Sequence, residues 1–188
     1  MSAGTLATKR ATIADLAREP GKAELIDGRI VQDTATGIRP SRIAARIFRS
    51  LDDHATSSGH RYAFTDTLRY AVPELFSGRE SFSPDASYYD GPLSENTMKF
   101  VEGPPTFAVE VRSENDYGPA AERQIATKRA DYFEAGTAVV WDVDAMAREI
   151  RSYRATAPDQ PVIFAAGSQA DAVPTVPGWT VAVDWVMA

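Results

Sequence analysis

Residues 105–144, PTFAVEVRSENDYGPAAERQIATKRADYFEAGTAVVWDVD, decide the fold. Phe107, Val109 and Val111 alternate with Ala108, Glu110 and Arg112, the period of two expected of a strand whose faces meet different surroundings. The apolar set should face one layer of the core, while Glu110 and Arg112 share the other face. A polar loop follows, with Glu114, Asp116 and a Gly118-Pro119 break. From Ala120, Ile125, Tyr132 and Phe133 recur at helical spacing amid alanines of high helix propensity. Gly136 stands where a helix ends in left-handed backbone. Ala138, Val139, Val140 and Trp141 then form a short apolar run, the mark of a strand buried on both faces. Strand, helix and strand with no room for a hairpin make a crossover unit. Glu110 is its anomaly, because a carboxylate among apolar strand residues is rare unless paired or bound to metal.

Upstream, Thr12 and Asp15 predict a capping box that opens a short helix ending near Pro20-Gly21. Asp27-Gly28, between Glu24-Leu25-Ile26 and Arg29-Ile30-Val31, is a two-residue hairpin signal. A helix is expected from Pro40-Ser41 through Leu51, ending before Ser57. Its Arg42, Arg46 and Arg49 are a basic stripe or, more simply, a solvated face. Tyr62, Phe64, Thr67, Leu68 and Tyr70 predict one extended strand ended by Pro73. Residues 74–80 read as loop, Asp85 to Tyr89 as a short strand, and residues 91–105 as loop again. Downstream, EIRSYR at 149–154 predicts a strand returning antiparallel, with further strands at 161–165 and 180–186. Residues 1–9 are expected to fray. With no repeat or linker, the expectation is one α/β domain over residues 1–188, a central mixed sheet flanked by helices.

The chain has 188 residues, enough for a core without metal or disulfide staples. It has no cysteine, which excludes disulfides and thiolate metal sites. No apolar run approaches the ~20 residues of a membrane span. The opening MSAGTLATKR lacks an apolar signal-peptide core, so the cytoplasm is the expected location and no membrane partner is expected. The net charge of −6 argues against a broad basic surface for nucleic acid, but not against a local cleft lined by arginines. His54 and His60 flank a Ser-Gly turn and read as surface or structural residues. Without cysteine or an HExxH pattern they argue against zinc chemistry.

Three positions carry a functional reading: Asp85 after Pro84, Glu110 in mid-strand, and Lys128 on the following helix. Carboxylates on neighbouring strands can hold a hard divalent cation that keeps several waters, and the Val111 backbone carbonyl would add a ligand. A lysine beside the metal can orient a water and offset charge on a phosphoryl oxygen. On residue chemistry alone Asp85 is better read as a turn cap. Glu110 is balanced between structural acid and ligand. Gln124, one turn before Lys128, either touches this site or is solvated. Tyr132 reads as packing, Trp141 as core, and Asp90 and Asp116 as loop acids. Val181, Val183, Trp185 and Val186 read as a contact surface or as the last part of the core.

In order, these motifs resemble the Uma family of restriction-endonuclease-like proteins, in the PD-(D/E)XK nuclease superfamily. They are the ELIDG hairpin, a long helix, Pro84-Asp85, Glu110 within FAVEVRS, Lys128 and Tyr132 on a helix, Gly136 and VVWDVD. The resemblance runs from about Thr12 to Arg154. It implies a restriction-endonuclease-like fold and a magnesium- or manganese-dependent endonuclease acting on DNA, with RNA a further candidate substrate. A two-fold homodimer is the expected assembly where both strands are cut. Asp85 matches the metal-binding acid of the Pro-Asp motif and Glu110 the acid of the second motif. Lys128 matches the lysine that this family carries on the helix rather than the strand. Glu24 matches a recurrent N-terminal acid that approaches the same site. Arg112 stands where the superfamily places lysine; it would clamp phosphate, since its pKa above about 12 bars it from acting as a base. Ser41 stands where the family often has histidine. The alternative is a non-enzymatic nucleic-acid-binding or scaffold protein that keeps the fold.

Overall fold

Thr12 opens a single helical turn, α1 (Ile13–Leu16), through the expected reciprocal box. Its Oγ1 accepts the Asp15 N–H at 3.2 Å, and Asp15 Oδ2 accepts the Thr12 N–H at 2.9 Å. The computed structural model describes residues 10–33, 35–59 and 61–188, so the readings of residues 1–9 and of His60 lie outside the described residues. β1 (Ala23–Ile26) and β2 (Arg29–Gln32) form the expected hairpin, with Asp27 at φ 50° and Gly28 at φ 64°. A tight two-residue turn requires that left-handed pair. α2 (Ile38–Ser58) begins at Ile38 rather than Pro40 and runs on to Ser58 before Gly59.

The single strand expected over Tyr62 to Tyr70 is two strands in two sheets, β3 (Tyr62–Thr65) and β4 (Tyr70–Ala71). A turn at Asp66 breaks it, closed by the Leu68 N–H on the Thr65 carbonyl and by the Thr65–Thr67 hydroxyl contact at 3.0 Å. β5 (Ser81–Phe82), β6 (Ala86–Tyr89) and β7 (Val101–Glu102) follow, then β8 (Phe107–Val111). α3 (Pro119–Ala135) starts with proline in its first turn and ends at Gly136 with φ 111°. β9 (Val139–Asp144), β10 (Glu149–Arg154), β11 (Ala157–Phe164), β12 (Gln169–Asp171) and β13 (Thr180–Ala182) complete the strands. The strand expected to continue to Val186 turns instead into α4 (Val183–Met187). Val183, Val186 and Met187 are all buried, and their spacing is a helical one hidden in an apolar run.

The main sheet has the order β11-β10-β9-β8-β6-β3. Only β8 and β9 are parallel, joined across the sheet by α3, so the fold is α/β with a central mixed sheet flanked by helices. On one face Phe107, Val109 and Val111 of β8 and Val139, Trp141 and Val143 of β9 pack with Ile43, Ile47 and Leu51 of α2. Phe107, Trp141 and Trp179 meet there with centroids 5.1–5.9 Å apart, contacts worth ~1 kcal/mol each beyond burial. Val181, Val183 and Val186 belong to this core. Of the two readings of this segment, the core one describes these three valines, while Trp185 stays partly exposed beneath Arg49. The other face carries Ala108 and Val140 against Tyr132 of α3.

The hairpin docks on the edge of β5 rather than in the main sheet. Ile26 bridges to Arg79, the Leu25 N–H donates to Ser81 Oγ at 2.7 Å, and the Glu80 N–H donates to the Leu25 carbonyl at 2.8 Å. Buried Arg69 ties the end of α1 down by donating to the carbonyls of Leu16, Glu19 and Gly21. These ties fix where Glu24 points.

Candidate active site

Pro84 delivers Asp85 to the start of β6. The Asp85 N–H reaches the Val109 carbonyl at 3.0 Å and extends the β6–β8 ladder by one residue. Its carboxylate then folds over the edge of β8, where Oδ2 accepts the Val111 N–H at 2.7 Å and Oδ1 accepts Lys22 Nζ at 2.6 Å. Within a strand the N–H and carbonyl of one residue point to the same edge, so the Val111 carbonyl also faces the Asp85 side.

Glu110 projects from the α3 face of β8. Lys128 Nζ lies 2.9 and 3.0 Å from its two oxygens, and Tyr132 Oη donates to Oε1 at 2.6 Å. Lys128 and Tyr132 are one helical turn apart on α3, so one helix face supplies both partners. Glu24, buried on β1, completes the cluster. Its Oε1 accepts the Ser83 N–H at 2.9 Å and lies 3.2 Å from Lys128 Nζ, while Oε2 accepts Arg79. Arg79 is held from its other side by Asp131 of α3 at 2.9 Å.

The two glutamates on Lys128 are shifted in opposite directions. Burial pushes Glu24 up, but the charges of Lys128 and Arg79 and the Ser83 N–H outweigh it and hold the carboxyl at about 2. Burial leaves Glu110 raised, because Lys128 and Lys22 offset only part of it and Asp85 and Glu24 add repulsion. Burial would lower Lys128, yet Glu110 and Glu24 dominate and keep the ammonium protonated well above its ordinary range. It acts here as a charge and a donor, not as a base. Tyr132 is raised by burial and by Glu110, so its phenol remains a donor.

Arg112 corrects an expectation. Its guanidinium is buried and forks onto both oxygens of Asp142 at 2.7 Å and onto Glu122. Four of its five N–H directions are thereby committed, leaving one Nη1 N–H and no two-pronged edge to clamp phosphate. It is a tie between β8, β9 and the start of α3. Gln124 is exposed, Trp141 is core, and Asp90 and Asp116 serve Thr106 and Ser113 in loops. His54 is half-buried on α2.

Glu110, Lys128 and Glu24 thus meet directly, Asp85 stands beside them on Lys22 and the Val111 N–H, and Arg112 does not join them. Three more residues enter the cluster that the sequence reading passed over or underrated. Lys22 precedes Glu24 by one period of strand alternation, a readable signal. Tyr132 binds Glu110 as well as packing. Arg79 carried no signal, since it lies in a loop and its partners are distant in the chain.

Among the described residues no group of three or more His, Cys, Asp or Glu stands ready to hold a metal ion. The donors near Asp85 are nonetheless all hard oxygens. Asp85 adds repulsion to Glu110, and carboxylate oxygens are the ligand type that magnesium takes while keeping several waters. A cleft of about 150 Å³ opens beside Asp85 and Val111, between Ser41, Ala44 and Phe48 of α2 and Thr65-Asp66. Ser41 lines the same cleft as Asp85. A larger surface recess, about 560 Å³ at Asp27, Phe76 and Glu134, contains none of these residues.

No curated protein matches the chain. A solved structure described as "a putative nuclease belonging to DUF820" from Anabaena variabilis superposes with a TM-score of 0.72 at 18% identity, covering 94% of this chain and 97% of its own. At that identity the likeness is one of fold. A family model described as "Uma2: Putative restriction endonuclease" matches residues 11–184. With nearly its whole length matched, this chain belongs to the Uma2 family.

Proposed function

We propose that the chain is a metal-dependent endonuclease that hydrolyses phosphodiester bonds in DNA. The observation that carries the reading is the convergence of Lys128 and Glu110, 2.9 Å apart, beside Asp85 at the start of the neighbouring strand. Magnesium or manganese, held by Asp85, Glu110 and the Val111 carbonyl, would polarise a phosphoryl oxygen and supply a bound water of lowered pKa. Lys128, held as an ammonium donor between Glu110 and Glu24, would point its charge at an attacking water and offset negative charge growing on the phosphoryl group. Tyr132 fixes the rotamer of Glu110 through its 2.6 Å hydrogen bond. Arg79 and the Ser83 N–H fix Glu24, so that its remaining edge faces Lys128.

One observation favours the non-enzymatic reading: the acids and cations of the cluster already neutralise one another pair by pair. A scaffold that inherited the fold would keep such pairs for stability. The two readings part in a time course with manganese on supercoiled plasmid, single-stranded DNA and RNA, with Asp85→Ala as the blank. Nicking or linearisation by the wild type alone supports the nuclease, and RNA cleavage without DNA cleavage changes its substrate. Identical traces for wild type and Asp85→Ala sink the enzymatic reading.

A further inference from the structure

Resting on the metal reading of Asp85, we propose that Lys22 is the internal cation that a divalent metal must displace, and that Asp33 receives it. Lys22 Nζ sits 2.6 Å from Asp85 Oδ1 and 3.7 Å from Asp33 Oδ2. The other Asp85 oxygen is engaged by the Val111 N–H at 2.7 Å, so Oδ1 is the oxygen left to meet a metal. An ammonium already on that oxygen and a divalent cation at ligand distance would repel each other strongly. Lys22 must therefore leave before the ion is held tightly.

The chain provides a place for it to go. Asp33 follows β2 across the hairpin from Lys22, with the Asp33 N–H on the Lys22 carbonyl at 3.0 Å, so the two backbones are already tied together. The Asp33 side chain is 38% exposed and can meet the ammonium at a solvated rim, where Lys22 remains close to an incoming phosphate. Rotation of the Lys22 side chain is enough, and no backbone need move. The site thus holds one positive charge on Asp85 in its metal-free form and exchanges it for a stronger one on loading. The cost of that exchange sets the metal concentration at which the site fills.

The test is calorimetry of the full-length protein titrated with manganese chloride and with magnesium chloride, with no nucleic acid present. Lys22→Gln removes the competitor and should tighten the Kd about tenfold, within the usual range of coupling between neighbouring sites. Asp33→Asn removes the receiving carboxylate and should weaken binding. The double variant should show no separate Asp33 effect, since without Lys22 nothing is left to receive. Lys22→Arg, which keeps the charge, should resemble the wild type. A wild type that binds while Lys22→Gln binds equally or more weakly overturns the exchange and leaves the metal reading standing. If Lys22→Gln does not fold, Asp33→Asn decides alone, and unchanged or tighter binding in it overturns the proposal. An absence of binding heat in the wild type and every variant overturns the metal reading and this inference with it.

Discussion

Glu24 and Lys128 face each other at 3.2 Å and make separate demands on stability and on the proposed chemistry. Glu24 has its folded pKa depressed to about 2 from 4.5, so its contribution is complete above about 4.5 and is lost as pH falls towards 2. A shift of that size corresponds to roughly 3 kcal/mol. In EDTA, Glu24→Gln should accordingly be destabilised most at neutral pH, and the gap from wild type should close between about pH 4.5 and 2. Urea unfolding at a series of pH values measures it; a gap constant down to pH 2 would show that Glu24 is not held by these cations. Lys128 removes no ligand when truncated. Lys128→Ala should lower cleavage by ~10²–10³ while leaving manganese affinity intact or slightly tighter. Rate and calorimetric Kd measured on one preparation check this, and a Kd that collapses with the rate contradicts it. Glu110 and Lys128 were legible because an acid in an apolar strand and a lysine on the next helix each break a local pattern. Arg112 was misread for a reason that alternation cannot supply. Sharing a strand face with Glu110 says nothing about Asp142 on the neighbouring strand, which takes the guanidinium first.

At the scale of elements, the crossover unit was readable because each part exceeds one period of its own pattern. Five residues of β8 and seventeen of α3 suffice to separate a period of two from one of 3.6. β4, β5 and β7 have two residues each, too few for any period, and they appear only once partners bring them together. α4 was hidden because Val181 and Val183 alternate as well as Val183 and Val186 recur. Between the end of β8 and β9 the buried Arg112–Asp142 pair is the tie, with Glu122 drawing in the first turn of the helix that carries Lys128. Arg112→Lys keeps a charge but loses the fork, and should cost about 1–3 kcal/mol of unfolding free energy. Arg112→Ala leaves Asp142 buried and unpaired and should cost about 3–5 kcal/mol. Chemical denaturation reads both, and two variants as stable as the wild type would remove the tie from the account.

At the scale of the molecule, the cluster is assembled from separate pieces of framework. Asp85, Glu110 and Lys128 belong to the main sheet and its crossover helix, whereas Lys22 and Glu24 arrive on or next to the first hairpin. The hairpin rests on a small apolar patch built around Leu16, Ala23 and Leu25, while the main core gathers α2, β8, β9 and the C-terminal segment. Regions of low buried area open sub-globally at lower free energy than central strands. Hydrogen exchange followed residue by residue should find the amides of Leu25 and Ile26 less protected than those of Val109 and Trp141; equal protection would mean that hairpin and sheet open as one. The consequence reaches past equilibrium stability. A hairpin that opens first would carry Glu24 and Lys22 away while the sheet stays intact, so the site would be dismantled and rebuilt within the lifetime of one folded molecule. Mild denaturant should therefore silence the protein while its circular dichroism is still native.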